Sequence, residues 1–136
     1  MNHQAYQSRE FSDMTRIEML LKLYAETIGS IELVRAAQAE GDQELYRSSM
    51  NRSRRLVLGL LSGVNRDYPL GDDIHRLLVF VIACLRDENP DFEGALQVLG
   101  TLRDGFQEIE GKAAELEAQG EIPPLAGNPG VMDTQA

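Results

Sequence analysis

The sequence predicts an all-α chain: an antiparallel up-down-up-down four-helix bundle over residues 15–118, with a flexible N-terminal arm (1–14) and a disordered C-terminal tail (119–136). Three observations predict it. Apolar residues recur at three- and four-residue steps through long stretches, as on one face of a helix. Gly, Asp and Pro punctuate the ends of four such stretches and leave short connections between most of them. The one apolar run that would suit a strand has no second strand to pair with.

The first helix is the most strongly specified. Thr15 followed by Glu18 reads as a capping box, in which each side chain satisfies a backbone donor of the first turn. Ile17, Leu20, Leu21, Tyr24, Ile28, Ile31 and Val34 then form its apolar stripe. Gly41 supplies the left-handed residue that ends such helices, and Asp42 behind it suits the cap of the next. At ~1.5 Å per residue the helix is roughly 40 Å long, well beyond the average of about 11–12 residues. Only long partners cover so long a stripe.

The second helix is expected from Asp42 to Ser62, with Tyr46, Met50, Ser53, Val57, Leu60 and Leu61 inward and Gly63 at its end. Leu45, Leu56 and Val64 fall near its edges. So short a link to the first helix implies an antiparallel hairpin. Residues 63–72 read as a turn-rich loop broken by Tyr68-Pro69 and Leu70-Gly71. A third helix is expected from Asp72 or Asp73 to about Asn89, and its middle, LLVFVIACL, is apolar on nearly every side. Such a helix is either the most buried of the four or covered from outside by something else. Pro90 is placed at or near the first position of the fourth helix. Ala95, Leu99, Leu102, Phe106, Ile109, Ala113 and Leu116 form a heptad seam along it. Gly94, Gly100, Gly105 and Gly111 sit off that seam, so packing rather than propensity must hold the helix.

Composition narrows the function. With 136 residues, one domain is expected, and a net charge of −9 sets the chain against nucleic acid and anionic membranes. The longest apolar run, Leu77–Leu85, is too short to span a bilayer, and the first residues lack the pattern of a signal peptide. A cytoplasmic location is therefore expected. Cys84 is the only cysteine and reads as a buried thiol.

Catalytic chemistry is nearly absent. His3 and His75 are the only histidines, and no HExxH, no Cys/His cluster and no phosphate-binding glycine loop occurs. Ser48, Ser49 and Ser53 have no general base in view. The expectation is a protein that is not an enzyme and uses no cofactor and no metal. One basic cluster stands out, Arg47, Arg52, Arg54 and Arg55, which reads as a solvated face balancing acids elsewhere or as a docking patch for an acidic partner.

Several stretches resemble the FliS family of flagellar export chaperones. Ala5-Tyr6-Gln7 is similar to the family's AYxx arm, and RIEMLLKLYAETIGSIELVRAA is similar to its first helix. Met19, Leu20, Leu21, Leu23, Tyr24, Ile28 and Ala36-Ala37 fall where that pattern places them. Leu102-Arg103 with Phe106 resembles the late LR-x-x-W signature, with Phe for Trp. The likeness covers about residues 5–117; Ser12-Asp13-Met14-Thr15 stands where the family has a TASP-like cap, and Ala25-Glu26 where it has DG.

The resemblance implies a cytoplasmic chaperone that binds the disordered C-terminal segment of flagellin, prevents premature polymerisation and delivers the subunit to the export gate. Flagellin is then the expected partner, and a gate component the second. Tyr6 matches the arm tyrosine and Tyr24 the tyrosine of the first helix, although an inward tyrosine also reads as core. Phe11 joins Tyr6 as an arm aromatic, and Leu77, Val81 and Leu85 are added from the apolar excess of the third helix. These six are the expected partner-binding residues. The competing readings are a bundle that self-associates as a homodimer when free of client, and an adaptor or chaperone for a different secreted client.

Overall fold

The computed structural model describes residues 16–86 and 88–118. Among them are four α-helices and no strand, as the periodicity requires: α1 (Arg16–Glu40), α2 (Gln43–Ser62), α3 (Pro69–Cys84) and α4 (Phe92–Ala118). The arm, the tail and the Thr15 half of the capping box lie outside the described residues. Lys22–Gly105 forms one compact unit, which holds most of α1 and α4 and all of α2 and α3. Arg16–Leu21 and the α4 residues from Phe106 onward fall in the other unit.

The turn between α1 and α2 is as short as expected. Gly41 has φ 73, the left-handed region open to glycine, and Asp42 N donates to the Ala37 carbonyl at 3.0 Å. Asp42 then caps α2, accepting from Leu45 N at 3.1 Å. Ser30 of α1 and Ser53 of α2 are nearly equidistant in sequence from this turn, and their hydroxyls meet at 2.8 Å. That pairing defines an antiparallel hairpin. Both hydroxyls also lie within hydrogen-bond reach of the Ser49 carbonyl, Ser53 Oγ at 2.8 Å and Ser30 Oγ at 3.3 Å, so the three groups form one buried cluster.

The core is built from one face of each helix. Tyr24, Ile31, Val34 and Ala37 come from α1, and Met50, Val57 and Leu60 from α2. Leu78, Val81, Cys84 and Leu85 come from α3 and the residues just past it, and Phe92, Ala95 and Leu99 from α4. Buried hydroxyls interrupt the apolar stripes at Thr27, Ser30, Ser49 and Ser53. Each is hydrogen-bonded, Thr27 Oγ1 donating to the Leu23 carbonyl at 2.7 Å, for example, so burial leaves no orphan. On α4 the expected seam is buried at Ala95 and Leu99, half-buried at Leu102 and Phe106, and exposed at Ile109.

Three boundaries differ from expectation, each for a local reason. Tyr68-Pro69 and Leu70-Gly71 do not break a helix but open α3, because proline at a first helical position loses only an N–H that has no partner there. Asp72 N donating to the Tyr68 carbonyl at 3.0 Å closes that first turn. At its other end α3 stops at Cys84 rather than near Asn89. Leu85 N turns back to the Val81 and Ile82 carbonyls at 3.2 and 3.1 Å, and Asp91 N reaches the Cys84 carbonyl at 3.0 Å. The fourth helix begins at Phe92, not Pro90, since Asp91 caps it by accepting from Gly94 N at 2.9 Å. Gly63 ends α2 as expected, but in a right-handed conformation (φ −86).

Gly71 is fixed by space rather than by backbone angle: a Cβ there would overlap the Asn65 carbonyl, where the loop lies against α3. Gly59, on the exposed side of α2, has nothing within 4 Å of a Cβ. Alanine should therefore act in opposite directions at the two positions. Gly71→Ala is expected to lower unfolding free energy by about 1–3 kcal/mol through overpacking. Gly59→Ala should raise it by about 0.4–1 kcal/mol through helix propensity and chain entropy. Urea titration of both variants reads the two signs.

Candidate client-binding face

Helix α3 has only 16 residues, yet apolar side chains occupy most of its circumference. Leu78, Val81 and Leu85, at steps of three and four, take the inward face. Cys84 joins them and Ile74 and Ile82 are half-buried, while other apolar side chains are exposed. Leu70, Leu77 and Phe80 are 62, 40 and 47% exposed, and their seven- and three-residue steps keep them along one flank of the helix. Val79 is exposed on the other side, and Tyr68 at the N-terminal end. The N-terminal turns carry the polar border: Asp72 pairs with Arg76 at 3.0 Å and with Arg66 at 3.3 Å. An apolar ridge bounded by ion pairs is the usual form of a surface that another molecule covers.

The far end of α3 is held by a residue of α2. Arg54 Nε and Nη2 both donate to the Leu85 carbonyl, at 3.1 and 2.8 Å. That oxygen is among those a helix C-terminus leaves without an internal partner, and a cation there also suits the helix dipole. α2 and α3 approach closely, with Cα atoms within 8 Å. The ridge is thus presented on a helix whose C-terminal end is held to α2 by Arg54.

The six expected contact residues divide sharply. Tyr6 and Phe11 lie outside the described residues. Leu77 stands on the outer ridge. Tyr24, Val81 and Leu85 are buried in the core and offer a partner no surface in this conformation. Stepping by four from Leu77 follows the rim of the inward face rather than the exposed flank, which is why Val81 and Leu85 turn inside. Phe80, Val79 and Leu70, also exposed, are not among the six. Setting the helical phase from Leu78, Val81 and Leu85 places Phe80 and Val79 outside, whereas Leu70, in phase with Val81, is exposed in the first turn. Among the described residues no group of three or more His, Cys, Asp or Glu is placed to hold a metal ion, and no helix is long and apolar enough to cross a membrane.

The family model described as Flagellar protein FliS matches residues 1–113, most of the chain. The chain belongs to the FliS family. No curated protein and no solved structure matches it. FliS is a family of flagellar export chaperones, cytoplasmic proteins rather than enzymes, and flagellin is the partner the family implies in general.

The core position of Tyr24 has a measurable consequence at high pH. Burial pushes its phenol from 10.0 up to about 12. The fold therefore favours the neutral form. Stability from this group is intact below pH 10 and is lost as pH rises from 10 towards about 12, at about 1.4 kcal/mol per pH unit. Thermal melts across that range should show the decline, and Tyr24→Phe should flatten it whatever its effect at neutral pH.

Proposed function

We propose that this protein holds the disordered C-terminal segment of flagellin in the cytoplasm, with the outer flank of α3 as a principal contact. The observation that carries the reading is the ridge of Leu70, Leu77 and Phe80, exposed in a chain of the FliS family. A flagellin terminus that folds into amphipathic helices must bury its apolar faces, and an apolar flank of a rigid helix supplies the complement. Ordering such a segment costs about 2–5 kcal/mol, so the contact has to be extensive and the client wraps the bundle beyond α3 alone. Tyr6 and Phe11 of the arm are proposed to add to that contact. While covered, the flagellin segment is unable to polymerise. Delivery to the export apparatus then requires a second contact, with a gate component.

The same ridge supports a second reading, a homodimer seam used when no client is present. Its signature is a mass that rises with protein concentration and falls when client is added.

Calorimetric titration with a C-terminal flagellin peptide from the same organism tests the first reading. One-to-one binding at micromolar or tighter affinity, with a negative heat-capacity change, is expected. Leu77→Ala with Phe80→Ala should weaken it roughly 30-fold, the scale of about 2 kcal/mol at an interface centre. Leu77 and Phe80 are 40 and 47% exposed, so the variant should remain folded, with only a modest fall in melting temperature. Absence of heat and of any melting shift at large peptide excess would sink the chaperone reading. Full affinity in the double variant would remove α3 from the contact.

A further inference from the structure

The chain carries a net charge of −9, yet four of its 13 lysines and arginines lie between Arg47 and Arg55 of α2, a helix whose only acid is Glu44. Elsewhere Arg66 and Arg76 pair with Asp72, Arg103 with Asp104, and Lys112 with Glu108, while Arg35 and Arg86 stand singly without an ion pair among the described residues. On α2 the pattern differs. Arg54 is committed to the Leu85 carbonyl. Arg47, Arg52 and Arg55 are exposed, and among the described residues they form no ion pair. They do not balance acids of neighbouring helices, which is the role a solvated face would give them.

The arrangement is ordered. Arg47, Asn51 and Arg55 follow one another at four-residue steps, and Leu58, 51% exposed, continues the line three residues on. Beside this line runs a furrow of about 400 Å³ lined by Gln43, Tyr46, Arg47, Met50, Asn51 and Arg54. Its rim is made of guanidinium and amide donors. Its floor is the half-buried Tyr46 and the buried Met50. Donors over an apolar floor, with a leucine at the end of the line, suit a ligand that offers carboxylates together with an apolar side chain.

We propose that this face of α2 is a docking surface for an acidic, amphipathic segment of a protein partner, separate from the apolar flank of α3. Charge complementarity selects that partner class. Nucleic acid and anionic bilayers carry dense charge that a −9 chain repels over a wide area. A short acidic helix brings few charges, and screening over about 8 Å confines its interaction to the arginine line itself. No residue of the α3 ridge takes part, so substitutions on that ridge distinguish this surface from the flagellin contact proposed there.

The test uses the full chain and a fluorescent synthetic helix of roughly 20 residues, with glutamates at three- and four-residue steps and leucines along one edge. A glutamine-for-glutamate analogue, a thymidine oligonucleotide and phosphatidylserine vesicles serve as competing probes. Saturable binding of the acidic helix is expected, with none of the glutamine analogue. Raising salt from about 50 to about 200 mM should weaken it several-fold. Arg47→Glu with Arg55→Glu should weaken it at least about 10-fold, as loss of a charged contact does at an interface, without lowering the melting temperature. Leu77→Ala with Phe80→Ala should leave it unchanged. No saturable binding of the acidic helix, indifference to the charge reversal, or tighter binding of the oligonucleotide or vesicles would each overturn the proposal.

Discussion

The contact between the Ser30 and Ser53 hydroxyls at 2.8 Å is the constraint from which the rest of the compact unit follows. Serine side chains are short, so this contact draws the backbones of α1 and α2 together. It also admits one register. Sliding α2 along α1 by a turn would leave buried hydroxyls facing apolar groups, at a cost of about 1–3 kcal/mol for each unsatisfied one. Apolar stripes alone are tolerant of such a slip; paired buried hydroxyls are not. With the register set and the turn fixed by Gly41 and Asp42, the inward face of α2 is determined. So is the position of Arg54 on its flank, and Arg54 in turn fixes where α3 ends.

That sequence of constraints explains why α3 exposes apolar surface. The core accepts one face of the helix, Leu78, Val81 and Leu85, and those residues are fully buried. Leu77, Val79 and Phe80 keep 40, 45 and 47% of their surface exposed in the isolated chain. An exposed ridge of this kind invites aggregation. The net charge of −9 opposes that, since copies of the chain repel one another before their apolar flanks meet. A chaperone for an apolar client needs both properties together: a surface free to be covered, and a reason not to cover itself.

Much of this architecture was legible in the sequence, and what was missed shares a cause. Element types, the hairpin turn at Gly41-Asp42 and the end of α2 are encoded within a few residues of where they act, so local pattern suffices. The opening of α3 was misread because Pro and Gly signal a break and a beginning with the same letters; only the lie of Asn65 against Gly71 distinguishes them. The buried Ser49 and the clamp of Arg54 were invisible because their meaning lies in another helix, 19 and 31 residues away. On α3, an all-round apolar sequence carries no phase of its own. The phase comes from packing against the rest of the bundle, which leaves Leu77 exposed and buries Val81 and Leu85.

The two candidate surfaces belong to one compact unit and are joined by a single side chain. Arg54 lines the furrow of α2 and, through its guanidinium, holds the Leu85 carbonyl at the end of α3. Its neighbours Arg47 and Arg55 have no such anchor, so they keep the rotational freedom and charge that an acidic partner would use. This division of labour within one cluster explains why four arginines occur so close together in an acidic chain. One is structural and needs its planar fork, because two parallel donors on one carbonyl are beyond the geometry of lysine. The others remain at the surface, where a charge without an acid nearby is stabilised only by water or by a partner that brings the carboxylate with it.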